Sequence, residues 1–380
     1  MVNFDENLIK VQNITVKGKL PNPFIMNDGT SVKTETDWQL RRQEMYKTAV
    51  ELQYGIMPPQ PEFLEVELLD DAAQIHNYRI TTGRKDRPVS FIMRVILPTA
   101  GSGKFPAIVD GDLCWRYAFD KEYLQTVTGN GIAFVLFNRV ELVPDRNVDR
   151  SKGPLYQCYP EYTFSALGAW AWGYARCVDA LEQLGYIDMD NIAFSGHSRG
   201  GKTALLAGVL DQRAAIVNTN ESGAGGAGCY RLNMTAYDEN GNLGNNERLA
   251  DLLRVFPHWF NPDMNAYTDH EEDLPFDEHF LKALVAPRIL LETDAASDIW
   301  ANPVGSWQTS MAAREVFRFL GVEGNVVHTF RPGFHEHKPQ DLQVLVDVMK
   351  AKIAGHTQHE DSFQLPFPTS ELIFDWRSPV

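Results

Sequence analysis

The chain has 380 residues, of which 44% are hydrophobic and 22% charged, a composition typical of a globular protein with one large or two modest domains. Its formal net charge of −15 argues against nucleic acid and anionic membrane surfaces as partners, because both repel an acidic protein. No apolar run of the sequence is long enough to span a bilayer.

The cellular compartment is predicted from the N-terminus and the cysteines. Residues 1–7 have neither the basic nor the apolar segment of a secretion signal, which predicts a cytoplasmic protein; a leader removed beforehand would make it a secreted one. Four scattered cysteines form no C-x-x-C pair and are predicted to be core thiols in a reducing compartment. They are Cys114, Cys158, Cys177 and Cys229.

The N-terminal part of the chain is polar and mixed. Residues 1–60, with one predicted helix near 38–54, are expected to form an extension packed on the core of a domain that spans 61–380. Three strand-like runs follow, separated by short polar turns, and predict an antiparallel meander at a sheet edge. These runs are residues 63–69, 76–82 and 90–97.

From residue 105 onward, strand-like runs alternate with helical ones, which predicts βαβ units and a parallel sheet with helices on both faces. The predicted strands are 105–110, 132–138, 191–196, 214–219, 288–293 and 326–331. The predicted helices are 121–128, 164–184, 202–210, 246–255, 280–284, 305–319 and 340–353. Residues 221–276 are too many for a plain connection and are predicted to form a cap-like insertion.

The segment Gly196-His197-Ser198-Arg199-Gly200 joins a predicted strand to a predicted helix. G-x-S-x-G in that context is the nucleophile elbow of an α/β-hydrolase, in which small residues allow a tight turn that exposes the serine. The sequence therefore predicts an α/β-hydrolase fold, with a mainly parallel central sheet and antiparallel N-terminal edge strands. Ser198 is the predicted nucleophile.

A serine nucleophile needs a base, which in this fold is a histidine on the loop after the last strand. His335 follows a Pro-Gly turn directly after the strand at 326–331, and His337 competes with it. In an extended loop both side chains face the same side, so alternation alone does not choose between them. His335 is preferred because it lies closer to the end of the strand.

The carboxylate that orients the base has two candidates, each at the end of a predicted strand. Asp298 lies in the loop after the penultimate strand, where the triad acid is usual. Glu221 ends the strand that follows the nucleophile helix and precedes a glycine-rich loop. Both positions are at the same edge of the sheet, and the choice is left open.

The backbone N–H of Arg199 is the predicted oxyanion donor, together with a donor from the loop at residues 111–115. Arg199 and Lys202 place two cations at a helix start that disfavours them, which indicates an anionic or polyhydroxylated ligand. Trp300 and Trp259 are suited to stacking against a sugar ring.

The elbow and two further segments resemble those of a known family. Residues 196–204, G-H-S-R-G-G-K-T-A, resemble the G-C-S-R-x-G-K-x-A signature of glucuronoyl esterases. Residues 220–231, N-E-S-G-A-G-G-A-G-C-Y-R, resemble that family's Q-E-S-G-x-G-G-x-x-C-W-R segment. Residues 274–288, L-P-F-D-E-H-F-L-K-A-L-V-A-P-R, resemble its L-P-F-D-x-H-x-L-x-A-L-x-A-P-R run. The resemblance covers residues 105–352.

The resemblance implies an α/β-hydrolase that cleaves esters of glucuronic acid. By resemblance, Ser198 is the nucleophile, His335 the base and Arg199 an oxyanion donor. The resemblance does not settle the acid, because family members place it at either position; Glu221 is slightly preferred, with Asp298 supporting or substituting for it. The residues expected to bind substrate are Lys202, Trp300, Glu247 and Trp259. Two departures stand out. The family's elbow cysteine is His197 here and the residue after the base is Glu336, so the disulfide that often joins these positions cannot form.

The sequence therefore predicts a serine carboxylesterase that acts on a small or oligosaccharide ester, most simply a glucuronoyl ester, through an acyl-enzyme. A deacetylase of acetylated sugars on the same fold is the alternative, and a non-catalytic sugar-binding protein is a remote one. No cofactor and no metal are expected, and His356 and His359 are predicted to be solvated tail residues. Neither nucleic acid nor a membrane is an expected partner, and homo-oligomer formation is left open.

Overall fold

The structure, a computed structural model, describes residues 10–101, 103–238, 240–356, 366–367 and 371–379. Residues 1–7 and His359, on which two of the predictions above rest, lie outside the described residues. The described strands are β1 Lys10–Val16, β2 Phe63–Ala72, β3 Ile75–Arg84, β4 Arg87–Ile96, β5 Phe105–Asp110, β6 Ala133–Phe137, β7 Ile187–Ser195, β8 Ile216–Asn220, β9 Leu232–Tyr237, β10 Leu243–Asn245, β11 Ile289–Ala295 and β12 Val326–Arg331.

Helices lie between most of these strands, as the alternating pattern predicts. They are α1 Glu35–Met45, α2 Leu52–Tyr54, α3 Lys121–Thr128, α4 Pro154–Cys158, α5 Ala166–Leu184, α6 Arg199–Leu210, α7 Leu249–Val255, α8 His279–Val285, α9 Pro303–Phe319 and α10 Pro339–Ile353. A π-helical turn, Tyr46–Glu51, joins α1 to α2. None of the described helices is long and apolar enough to cross a membrane.

The central sheet has nine strands in the order β12-β11-β8-β7-β5-β6-β4-β3-β2. Strands β5 to β8, β11 and β12 pair in parallel, whereas β2, β3 and β4 form an antiparallel meander that joins the sheet through β6. The predicted parallel sheet with antiparallel N-terminal edge strands is therefore confirmed.

Helices cover both faces of the sheet. Alternate residues of each strand point to opposite faces, so one strand contributes to both layers of the core. In β6, Phe134 and Leu136 join an apolar cluster with residues of α3 and α10. Ala133, Val135 and Phe137 join the larger cluster that includes residues of α1, α5 and α8. Full burial of a large apolar side chain contributes about 1.5–3 kcal/mol, so both helix layers are held by this alternation.

A second, three-stranded sheet in the order β1-β9-β10 was not expected from the sequence. In it, β1 pairs antiparallel with β9, across more than two hundred residues of chain. Leu232, Met234 and Ala236 of β9 face a small buried cluster. The N-terminal residues thus add a strand beside β9, which lies within residues 221–276. The division into residues 1–60 and 61–380 and the cap-like insertion at 221–276 stay predictions.

The carboxyl ends of the parallel strands meet at one edge of the central sheet. The segments that leave this edge carry the candidate site: residues 111–115 after β5, 138–149 after β6, the elbow after β7, Glu221 after β8, Asp298 after β11 and His335 after β12. Ligands of open α/β sheets bind at this edge.

Candidate active site

Ser198 lies between the end of β7 and the first residue of α6, with φ 56° and ψ −121°. A non-glycine residue in this region is strained, as expected for the nucleophile of an elbow. The turn has no room for larger neighbours. A Cβ at Gly196 would lie 2.3 Å from the Gly200 carbonyl oxygen, and a Cβ at Gly200 would lie 2.6 Å from Asp112 Oδ2.

Asn220, the last residue of β8, holds the elbow in place. Its carbonyl accepts the Ser198 N–H at 2.9 Å, and its own N–H donates to Gly196 O at 3.1 Å. Its side-chain Oδ1 lies 2.6 Å from His197 Nδ1. Asn220 thus fixes the backbone on both sides of the nucleophile, a role that the sequence pattern did not indicate.

His335 lies directly above the serine. The Ser198 hydroxyl is 2.9 Å from His335 Nε2, the geometry of a nucleophile hydrogen-bonded to its base. His337 points elsewhere, with its Nδ1 2.8 Å from the Tyr123 hydroxyl and its ring packed against Tyr117. Burial, with a smaller contribution from Arg331, lowers the pKa of His337 to about 3. The structure therefore brings His335, and not His337, to the serine.

Both candidate acids approach the other nitrogen of His335, at different distances. Asp298 Oδ2 lies 2.6 Å from His335 Nδ1, whereas Glu221 Oε2 lies 3.4 Å from it. Asp298 is itself oriented by the N–H of Ala301, which donates to Oδ1 at 3.1 Å. The slight preference for Glu221 is not supported by these distances, which favour Asp298 as the partner of the base.

Glu221 is instead bound by the loop that carries the base. Its Oε1 accepts from the Arg331 guanidinium, and its Oε2 accepts the Glu336 N–H at 2.9 Å. Burial first, and then the nearby charge of Asp298, raise the pKa of Glu221, while Arg331 opposes them. Arg331 also pairs with Asp341 at 2.8 Å. These contacts fasten the ends of β8, β12 and α10 to one another.

The Arg199 N–H is at the first position of α6, where N–H groups have no acceptor within the helix. Its guanidinium pairs with Asp145 Oδ2 at 2.7 Å and lies over the rings of Trp115, Phe256 and Trp259 at 4.9–5.5 Å. The side chain is therefore held beside the elbow by one carboxylate and three aromatic rings.

Asp145 was not found from the sequence, because it lies in an irregular segment without a motif. Its Oδ1 accepts from Trp259 Nε1 at 2.9 Å and lies 3.2 Å from His258 Nε2, while its Oδ2 binds Arg199. Burial raises the pKa of Asp145, but the His258 hydrogen bond and the Arg199 charge outweigh it and hold that pKa well below its ordinary value. Asp145 is thus an ionised anchor for Arg199.

The loop at residues 111–115 was predicted to supply a second oxyanion donor, but most of its N–H groups donate to other acceptors. The N–H groups of Gly111, Asp112, Leu113 and Trp115 all donate to acceptors within the protein. Cys114 of the same loop is exposed, so its prediction as a core thiol is wrong. The other three cysteines are buried thiols, as expected.

Lys202 and Glu247 form a buried ion pair beneath the glycine-rich loop. The Lys202 ammonium is 2.7 Å from Glu247 Oε2 and also donates to the carbonyls of Ser222 and Ala224. Since an ammonium has three N–H donors, none is left for a sugar hydroxyl. With Lys202 only 2% and Glu247 only 4% exposed, their predicted direct contact with substrate is not supported by the geometry.

The two tryptophans expected to bind sugar differ in exposure. Trp259 is 2% exposed and stacks on Phe256 at 3.9 Å, with Arg199 over its ring, so the geometry does not support its predicted stacking against a sugar. Trp300 is 44% exposed and follows Asp298 by two residues. It is the predicted aromatic residue that remains available at the site.

Two groups of side chains in the described residues could offer ligand atoms to a metal ion: His197, Glu221 and His335, and also Glu292, Asp294 and His328. In each group a carboxylate already has a cationic partner. Arg331 pairs with Glu221, and Lys282 lies 2.7 Å from Glu292. The protein therefore supplies the positive charge itself in both places.

Comparison with known proteins gives a consistent match. A family model described as "Glucuronyl esterase, fungi" matches residues 80–321. A 4-O-methyl-glucuronoyl methylesterase of Phanerochaete chrysosporium is 32% identical over 84% of this chain and 65% of its own length. One from Wolfiporia cocos is 31% identical over 84% of this chain and 76% of its own length.

The chain belongs to the glucuronoyl esterase family. Among solved structures, a carbohydrate esterase family 15 glucuronoyl esterase from Caldicellulosiruptor kristjansonii is similar, with a TM-score of 0.84 and 29% identity, over 96% of this chain and 98% of its own. The glucuronoyl esterase catalytic domain from Hypocrea jecorina has a TM-score of 0.77 and 26% identity, over 97% of this chain and 98% of its own. The predicted family, α/β-hydrolase fold and enzyme class are thereby confirmed.

Two positions depart from the family motifs quoted above: His197 in the elbow, and Glu336 directly after the base. His197 and Glu336 stand where the resemblance expects two cysteines. In this chain the His197 ring packs against His335, 4.7 Å between centroids, and the Glu336 N–H donates to Glu221. Non-covalent contacts therefore replace, beside the base, the disulfide that the family resemblance implies at these two positions.

Proposed function

We propose that the protein hydrolyses esters of glucuronic acid, with Ser198 as the nucleophile. The observation that carries the proposal is an unbroken chain of two hydrogen bonds. It runs from Ser198 Oγ to His335 Nε2, at 2.9 Å, and from His335 Nδ1 to Asp298 Oδ2, at 2.6 Å. The family and the activity named for the relatives support glucuronoyl esters as the substrate class.

In the proposed mechanism, Ser198 Oγ attacks the ester carbonyl carbon while its proton passes to His335 Nε2. Asp298 accepts a hydrogen bond from the Nδ1–H of His335 and stabilises the imidazolium that forms. Collapse of the tetrahedral intermediate breaks the ester C–O bond, and His335 returns the proton to the departing alcohol. Water activated by His335 then attacks the acyl-enzyme, which releases glucuronic acid and restores the serine.

The oxyanion of each tetrahedral intermediate is proposed to bind the Arg199 N–H at the positive end of α6. The Arg199 guanidinium, anchored by Asp145 and three rings, supplies a second positive group beside the elbow. Glu221 is proposed to hold the His335 loop through Arg331 and Glu336. Trp300 is proposed to line the sugar site, because it is exposed next to Asp298.

The test compares hydrolysis of methyl or benzyl glucuronate with hydrolysis of p-nitrophenyl acetate, for wild type and Ser198→Ala. We expect serine-dependent turnover with higher kcat/KM for the glucuronate ester. Serine-dependent turnover of the acetate alone would point to a deacetylase. Activity that survives Ser198→Ala would overturn the assignment of the nucleophile.

We further propose small uronate esters in the cytoplasm, rather than polymer-bound esters, as the natural substrates. His197 and Glu336 at the expected cysteine positions, together with three buried thiols, support a reducing compartment. Relative rates on benzyl glucuronate and on polymer-bound glucuronoyl esters test this. Turnover of polymer-bound esters alone would contradict it.

A further inference from the structure

His197, the residue before the nucleophile, lies between the two histidines of the loop after β12. Its ring centroid is 4.7 Å from that of His335 and 5.2 Å from that of His337, with a 17° angle between the His197 and His337 planes. His337 is in turn held by the Tyr123 hydroxyl at 2.8 Å. Three imidazole rings therefore pack together, from the fixed His337 to the base His335.

Asn220 determines how the His197 ring is oriented and protonated. The Asn220 amide nitrogen donates to Thr293 O at 2.7 Å and to Thr293 Oγ1 at 2.9 Å. Its Oδ1 is therefore the acceptor that faces His197 Nδ1 at 2.6 Å. The proton of neutral His197 is thus on Nδ1, and the ring cannot turn over without losing this bond.

The surroundings also keep His197 uncharged. Burial, followed by the neighbouring His337 and His335, lowers its pKa well below the ordinary value. A neutral ring beside His335 does not repel the positive charge that the base acquires when it takes the serine proton. Aromatic contacts of this kind contribute about 0.5–1.5 kcal/mol beyond the area they bury.

We propose that His197 is a positioning residue for the base, whose ring, oriented by Asn220, keeps the His335 imidazole aligned between Ser198 Oγ and Asp298. This inference rests on the proposed function. Without the ring, His335 can rotate out of line into solvent, because its side chain is about one-third exposed. His197 acts through His335 and takes no part in bond making.

Two substitutions separate the ring from its hydrogen bond. His197→Phe keeps an aromatic ring but cannot bind Asn220 Oδ1, whereas His197→Gln keeps a donor for Asn220 without a ring. His279→Ala is the matched control, because His279 is another buried histidine with a stacked ring, on Trp376, outside the described site. The measurements are kcat and KM on benzyl glucuronate, Tm, and the downfield 1H NMR signal of the proton between His335 and Asp298.

We expect His197→Gln to lower kcat about tenfold, with a smaller change in KM, and to broaden or shift the NMR signal. His197→Phe should recover most of kcat and retain the signal even where its Tm is lower. His279→Ala should lower Tm and leave the signal unchanged. Equal kcat and signals in wild type and both His197 variants, or a better kcat for Gln than for Phe, would overturn the inference.

Failure of the inference on His197 and failure of the proposed function give different results. If wild type and Ser198→Ala turn over glucuronate esters equally, the function is wrong, and the NMR signal alone decides on the positioning of His335. If wild type is active in a Ser198-dependent way while the His197 variants match it in kcat and in the signal, only the inference on His197 is wrong.

Discussion

Two carboxylates lie near His335: Asp298, the proposed hydrogen-bond partner of the base, and Glu221, which holds the loop that carries the base. Replacing each in turn distinguishes these two roles. Asp298→Asn keeps the size of the side chain but removes its charge. An amide NH2 facing Nδ1 also favours the tautomer with the proton on Nε2, which cannot accept the Ser198 proton. Glu221→Gln removes a charge that is farther away and already paired with Arg331.

The magnitude follows from the charge that develops on His335. A carboxylate about 4 Å from an imidazolium stabilises it by about 4 kcal/mol at an effective dielectric constant of 20, which corresponds to about 10³ in rate. Partial exposure of His335 and the remaining charge of Glu221 reduce this, so we expect Asp298→Asn to lower kcat by about 10²–10³-fold. Glu221→Gln, with its partners at least partly retained, should cost about tenfold or less.

The assay is steady-state hydrolysis of benzyl glucuronate, with Tm measured for both variants to account for any loss of fold. A larger loss of kcat in Glu221→Gln than in Asp298→Asn would show that the shorter distance to His335 Nδ1, 2.6 Å against 3.4 Å, does not identify the triad acid. In that case Glu221 would be the acid and Asp298 the supporting carboxylate.

Three further predictions follow from other buried contacts. Arg331→Leu leaves Glu221 and Asp341 without their cation, so the free energy of unfolding measured in urea should fall by about 3 kcal/mol, with Arg331→Lys intermediate. Equal stability of Arg331→Leu and wild type would show that the ion pairs of Arg331 do not stabilise the fold. Asp145→Asn should lower kcat/KM about tenfold, because Arg199 is then less constrained. Asp263→Asn, an exposed control, should leave kcat/KM unchanged. Equal kinetics of Asp145→Asn and wild type would show that the pairing of Asp145 with Arg199 is dispensable. Burial lowers the pKa of His279 to about 4, so between about pH 6.5 and pH 4 the folded state binds fewer protons than the unfolded state. The free energy of unfolding is therefore undiminished by His279 above about pH 6.5 and decreases as the pH falls toward 4. His279→Phe should therefore reduce the slope of unfolding free energy against pH by about 1.4 kcal/mol per pH unit in that window, and an unchanged slope would contradict the burial of a neutral His279.

The sequence carried strong signals where a local pattern determines the structure. The G-x-S-x-G turn between a predicted strand and a predicted helix identified Ser198 as the nucleophile, and the structure gives the reason for both glycines, since neither Gly196 nor Gly200 has room for a Cβ. Strand and helix alternation after residue 105 predicts the parallel sheet, and chain order then predicts that His335 and Asp298 reach the same edge. The spacing of the motif and the order of the strands along the chain were enough for these predictions.

Other features depend on contacts between distant segments, which periodicity does not encode. The pairing of β1 with β9 brings together residues more than two hundred positions apart. Asp145 acquires its importance only when Arg199, His258 and Trp259 meet around it. The choice between Asp298 and Glu221 depends on a difference of less than 1 Å, since both follow strands that end at the same edge.

Ser198 is proposed to be the nucleophile of a glucuronoyl ester hydrolase. The most direct test is the release of glucuronic acid from benzyl glucuronate by wild type and by Ser198→Ala at equal concentration, with matching circular dichroism spectra. We expect turnover by wild type and a loss of at least about 10³-fold in the variant. Glucuronic acid release at comparable rates by both proteins would contradict it.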